Sequence, residues 1–140
     1  MHNILQGVAP PQERLTEENK KLLQDWIEGN AERYWTCHGG PLCPPSEGGA
    51  DVIVLDDPQV QGLVPIAKRE APDRPIIFRS HIQIRSDLIE QQGSPQSEVW
   101  AFLWNNIKHA DCFISHPVSS FVPHNVPREM VGYMPASTDW

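Results

Sequence analysis

Two short apolar runs do more than any other feature to limit what this chain can fold into. Val52-Ile53-Val54-Leu55 and Pro75-Ile76-Ile77-Phe78 carry no polar residue at alternate positions. Such runs suit strands covered on both faces, as in a parallel sheet. Each ends in polar groups, Asp56-Asp57-Pro58-Gln59 after the first and Arg79-Ser80-His81 after the second. Cys112-Phe113-Ile114 predicts a third strand and Met130-Val131-Gly132-Tyr133-Met134 a fourth.

Helices fall between these runs. Thr16 before Glu17-Glu18 reads as an N-cap with acids in the first turn, matched to the helix dipole. Leu22, Leu23, Trp26 and Ile27 then recur at helical spacing, with Tyr34 extending the same face. Leu63 to Arg69 predicts a short helix despite Pro65. Ser94-Pro95 is an N-cap followed by an N1 proline. That helix is expected to reach about His109, with Val99, Leu103 and Ile107 inward and Trp100 and Trp104 on a flank. Cys37 to Gly49 is rich in glycine and proline and reads as a loop. Strands alternating with helices imply right-handed crossovers and an α/β fold built on a parallel sheet. Three or four strands make a thin sheet, and both ends of the chain look cut, so an incomplete half of a larger enzyme is expected.

Composition narrows the partners. The 140 residues carry a formal net charge of -7, which disfavours the phosphate neutralisation that nonspecific nucleic-acid binding needs. No apolar run approaches the roughly 20 residues of a membrane span, and no secretory signal follows Met1. Three cysteines without such a signal point to free thiols in a reducing compartment, hence the cytoplasm. The 14 prolines are about twice the usual share of roughly 5% and sit mostly in predicted loops.

Ligands of open α/β sheets bind at the carboxyl ends of the strands. The polar groups delivered there are Asp56, Asp57 and Gln59, then Arg79, Ser80 and His81 with Gln83, Arg85 and Asp87 following, then Ser115 and His116, then Ser137, Thr138 and Asp139. Carboxylate, amide and guanidinium groups along one rim are what sugar hydroxyls need. A structural alternative stays open, in which Asp57 caps the next helix and Arg79 pairs with it. Cys37-His38 and Cys43 lack metal-ligand spacing, so no metal is expected. His109 suits a helix C-terminus, and Cys112 a buried thiol. No GxGxxG or GxxxxGK[ST] is present.

Several segments together resemble the trehalose-forming glycosyltransferases of family 4, which hold the retaining trehalose phosphorylases and the trehalose synthases. They are Asp57-Pro58-Gln59, Phe78-Arg79-Ser80-His81-Ile82, Glu98 to Leu103 and Met134 to Asp139. The fungal, phosphorylase-type branch is the more similar, through Arg79 to Leu88, Gly93 to Gln96, Leu103 to Asn106 and Phe113 to Ser119. His2-Asn3-Ile4-Leu5-Gln6-Gly7 resembles the segment that follows the first strands of these enzymes.

The resemblance implies the GT-B architecture, two Rossmann-like domains facing across a cleft. Residues 1–140 would be the later part of the N-terminal, acceptor-side domain, without its opening strands and without the C-terminal donor-binding domain. The implied reaction is trehalose plus phosphate giving α-glucose 1-phosphate and glucose, and the fragment alone would be inactive. The alternatives are a nucleotide-glucose-dependent trehalose synthase, a non-catalytic sugar-binding module and a purely structural domain. By the same resemblance His81 is the catalytic candidate near the reacting sugar. Asp57, Gln59, Arg79, Arg85 and Asp139 are the substrate-binding candidates. Gln83 departs from an expected acidic residue. No resident cofactor is implied, since phosphate or nucleotide-glucose would be a co-substrate. The implied partner is glucose or trehalose, with no nucleic acid or membrane, and a homodimer of the complete enzyme is left open.

Overall fold

A computed structural model describes residues 1–135. Ser137, Thr138 and Asp139 therefore lie outside the described residues. Four strands, β1 (Ile53–Asp56), β2 (Ile76–Arg79), β3 (Cys112–Ser115) and β4 (Val131–Tyr133), form one sheet in the order β1-β2-β3-β4. All three pairings are parallel, with Leu55 opposite Phe78 and Phe78 opposite Phe113. The helices are α1 (His2–Leu5), α2 (Glu17–Asn30), α3 (Leu63–Glu70), α4 (Ser86–Ile89) and α5 (Pro95–Ile107). The parallel α/β fold expected from the two apolar runs is present.

One expectation about those runs needs correcting. The first strand is not covered on both faces: Ile53 and Leu55 are buried, while Val54 is 59% exposed. Handedness explains this. The strands step across the sheet in a single direction, so right-handed crossovers put the connecting α3 and α5 on the same side. That side holds the core, with Phe78 and Phe113 stacked at 5.7 Å and Val64, Val99, Leu103 and Ile107 fully buried. The opposite face presents Val54, Ile77, Cys112 and Ile114, none of them fully buried. Cys112 is thus a half-buried thiol on the open face and not a core one.

Both predicted caps form. Thr16 Oγ1 accepts from the Asn19 amide at 3.1 Å, and Ser94 Oγ accepts from the Ser97 amide at 3.0 Å. Pro65 fits because it occupies the first turn of α3, where its nitrogen has no intrahelical acceptor to lose. The face of α2 differs from the expected one. Ile27 is fully buried and packs on Gly62, whereas Leu22 and Trp26 are 60% and 53% exposed and Tyr34 is exposed too. Four apolar residues at helical spacing describe a stripe wider than the one that α2 buries. Beyond Asn30 the chain continues as one π-turn, Ala31–Trp35, closed by the Thr36 amide on the Ala31 carbonyl at 2.9 Å.

Trp100 also departs from its flank position. It is 3% exposed, stands edge-on to Phe113 at 6.2 Å, and donates its Nε1–H to Asn125 Oδ1 at 2.8 Å. That hydrogen bond lets an indole sit in the core without an orphaned donor. No helix among the described residues is long and apolar enough to cross a membrane.

Candidate functional site

At the carboxyl ends of β1 and β2 the chain brings together Asp56, Asp57, Arg79 and His81. Asp56, the last residue of β1, is paired across the register with Arg79, the last of β2. Arg79 Nη1 donates to Asp56 Oδ2 at 2.5 Å, and Asp56 Oδ1 lies 3.0 Å from His81 Nδ1. A carboxylate only accepts, so His81 carries a proton on Nδ1, and in the neutral form of the ring Nε2 is an acceptor.

Asp57 is held in a different way. Its Oδ1 accepts from the Gln59 amide at 2.8 Å and is 2.9 Å from His2 Nε2, while its Oδ2 stands 3.6 Å from His81 Nε2. That last separation is beyond a hydrogen bond. Asp57 also has φ 109° and ψ 136°, the one positive φ outside glycine among the described residues. An L-residue pays about 1–3 kcal/mol for such a conformation, and such strain gathers at functional sites. Both halves of the structural alternative can now be judged. Asp57 does cap the following turn, Pro58–Val60, but the ion partner of Arg79 is Asp56.

Asp57, Gln59 and His81 line an open cleft of about 480 Å³ whose apolar wall is Leu23, Trp26 and Val60. That volume is within the usual range for a small-molecule site. Two of its features escaped the sequence reading. Trp26 shares the helical spacing of Leu22, Leu23 and Ile27 and so does not stand out as a cleft residue, and His2 is 55 residues from the carboxylate it meets. A half-exposed tryptophan beside carboxylates can be found only once the helix face is known.

The remaining candidates lie elsewhere. Arg85 is paired in bidentate fashion with Asp87, at 2.8 and 2.6 Å, and is not in the cleft wall. The hydrogen-bonded Asp87 raises the Arg85 pKa, and that same hydrogen bond lowers the Asp87 pKa. Gln83 is exposed, and Asp139 falls outside the described residues. His116 Nε2 lies 3.1 Å from the His81 carbonyl, which can only accept, so His116 carries its proton there and ties the end of β3 to the His81 backbone. Ser115 is buried at the same end, and its hydroxyl has no partner among the described residues. A larger depression of about 680 Å³ lies between α4 and β4, lined in part by Glu90, Ser120, His124, Arg128 and Tyr133. The convergence of Asp57 and His81 makes the smaller cleft the better candidate. Among the described residues no three His, Cys, Asp or Glu side chains converge as metal ligands.

A parallel sheet with polar groups gathered at its carboxyl ends defines the ligand-binding edge of a Rossmann-like α/β domain. The family can be stated more narrowly. Residues 1–123 match the family described as "Trehalose synthase, N-terminal domain", and the chain belongs to it. Proteins named trehalose phosphorylase from Grifola frondosa and Pleurotus pulmonarius are each 58% identical over 139 residues. A third, from Pleurotus sajor-caju, is 56% identical over 139 residues. In each case the match takes in 99% of this chain but only 18% of the relative's length.

Proposed function

We propose that this chain supplies the glucose-binding edge of a retaining trehalose phosphorylase. The reaction joins phosphate to one glucosyl unit of trehalose as α-glucose 1-phosphate and releases the other unit as glucose. The observation that carries this reading is the convergence of Asp57 Oδ2 and His81 Nε2, 3.6 Å apart on the cleft wall. With the imidazole neutral both atoms accept, and neighbouring hydroxyls of a pyranose supply the two donors. Trp26 offers the ring's C–H face an apolar wall, and Gln59 adds an amide.

The roles then divide by position. His81, its ring oriented by Asp56, stands nearest the reacting centre, where a positioned imidazole can accept a hydroxyl proton. Asp57 fixes the sugar. Arg79 holds Asp56 and through it the ring. Arg85 and Asp139 are further candidates for sugar contacts. Phosphate is a co-substrate, and no resident cofactor is needed.

The open sheet face supports placing residues 1–140 within a larger domain. Parallel sheets are found with both faces covered, and here Val54, Ile77 and Ile114 await a second layer. Further strands beyond β1, and a separate donor-binding domain, would complete an enzyme of the relatives' length. Three unpaired thiols, one of them exposed, fit a reducing compartment, and we assign the protein to the cytoplasm. We leave a homodimer of the complete enzyme as a proposal.

The test is release of glucose 1-phosphate from trehalose and phosphate by the complete polypeptide. Wild type should release it, and His81→Ala should lose on the order of 10²–10⁴-fold in rate. The family's description as a trehalose synthase favours one second reading. Activity that appears only with a nucleotide-glucose donor would move the assignment there, and wild-type rates from His81→Ala would remove His81 from the site.

A further inference from the structure

We infer that His2 is a positioning residue of this site, acting on the sugar through Asp57. The inference rests on the glucose-site reading above and names a residue that it does not use.

The geometry of Asp57 is the starting point. Its Oδ1 has two partners, the Gln59 amide at 2.8 Å and His2 Nε2 at 2.9 Å. An ionised carboxylate only accepts, so His2 presents Nε2–H. With the Gln59 bond alone, the carboxylate could turn about Cβ–Cγ and exchange its oxygens, because terminal torsions of this kind are soft. The second donor stops that rotation and leaves Oδ2 directed to the cleft. It also keeps Oδ2 from closing on His81 across 3.6 Å, so that both atoms stay open to hydroxyls approaching from the cleft. His81 stays oriented by Asp56, so each member of the facing pair has its own anchor.

The fold fixes His2 firmly enough for this task. It opens α1, where Ile4 and Leu5 are buried and the Leu5 carbonyl accepts the Arg85 amide at 3.0 Å. The chain then turns at Gly7, with φ 72°, and a Cβ there would meet the Leu88 side chain at 2.8 Å. A core-anchored turn therefore delivers one imidazole to the one non-glycine position of positive φ among the described residues. His2 itself is not in the cleft wall, so its effect on a sugar has to pass through the carboxylate.

The experiment uses the complete polypeptide with His2→Gln and His2→Asn, read by glucose titration calorimetry and by thermal unfolding. Gln places its amide nitrogen near the Nε2 position, whereas Asn is too short to reach Asp57. Asn should weaken glucose binding by about tenfold, the worth of one charge-assisted hydrogen bond, while Gln stays within about threefold. Both should unfold at the wild-type temperature. Equal behaviour of the two variants, whether both bind normally or both are weakened alike, overturns the inference. So does unfolding of the Asn variant, which would make His2 a structural anchor. Asp57→Ala is the reference: if it binds glucose as wild type does, the glucose site itself is misplaced. If only the His2 variants are silent, the site stands and the positioning role falls.

Discussion

Asp57 and Asp111 both stand beside strand ends, yet they are used in different ways. Asp111 precedes β3 at the amino end of the sheet, where both of its oxygens take the Lys68 ammonium, at 3.0 and 2.8 Å, and one also takes the Ile76 amide at 2.7 Å. Asp57 follows β1 at the carboxyl end, with one oxygen doubly occupied and the other beside His81 on the cleft wall. Arg74, also at the amino end, repeats the first pattern. Its guanidinium donates to the carbonyls of Leu42 and Cys43 at 2.7 and 2.8 Å and to that of Ala67 at 3.1 Å, with longer contacts to Ala50 and Pro41. No carboxylate pairs with it among the described residues. One end of the sheet uses its charges to close loops, and the other leaves donors and acceptors turned outward.

The largest effect that could break this contrast is at Arg74. The loop from Cys37 to Gly49 has little secondary structure of its own, and the buried guanidinium is what fastens it to α3. Arg74→Met should lower unfolding stability by about 3 kcal/mol, since several buried carbonyls lose a charged donor together. Glucose affinity per folded molecule should be unchanged. A variant that unfolds normally but fails to bind sugar would mean that the amino end serves the site after all.

A smaller effect separates backbone from side chain at the carboxyl end. Asp57→Ala and Asp57→Gly remove the same carboxylate, and both should lose sugar affinity. They differ in what φ 109° costs, because glycine reaches that region freely and alanine does not. The Gly variant should therefore be the more stable of the two by about 1 kcal/mol in chemical denaturation. Equal stabilities would show that the backbone at Asp57 is not strained, and the case for a built site would lose one of its supports.

What could be read in advance follows the range of the forces involved. Ser94-Pro95 and Thr16 set helix starts through contacts three residues away, so the bare sequence contains them. The strands were legible as apolar runs, Asp57 and His81 fell in the rim set because a parallel sheet presents its strand ends at one edge, and the family resemblance singled them out of it. The open face of β1 was not legible, because continuous β-branched residues look the same whether one face or two are covered. Trp26 shares its helical spacing with Ile27, and only docking of α2 on Gly62 decides which of them turns inward. Arg74 and His2 are beyond local reasoning altogether: one meets carbonyls 31 and 32 residues earlier in the chain, the other a carboxylate 55 residues later.

The smallest expected effect tests the closed end by pH. Burial works against the Asp111 charge, but the Lys68 hydrogen bond and the Ile76 amide outweigh it, and the net pKa is lowered. A carboxyl with a lowered folded pKa contributes stability that is complete above its unfolded value, about 3.9, and is lost as pH falls from there through the folded value. Asp111→Asn should thus cost under about 1 kcal/mol at neutral pH, since the side chain is half exposed and solvent screens the pair. The difference from wild type should narrow as unfolding is followed below about pH 3.9. A gap that stays constant into acid would mean that Asp111 acts by shape and hydrogen bonding alone. Its charge would then contribute nothing, and the amino end would be closed by neutral contacts.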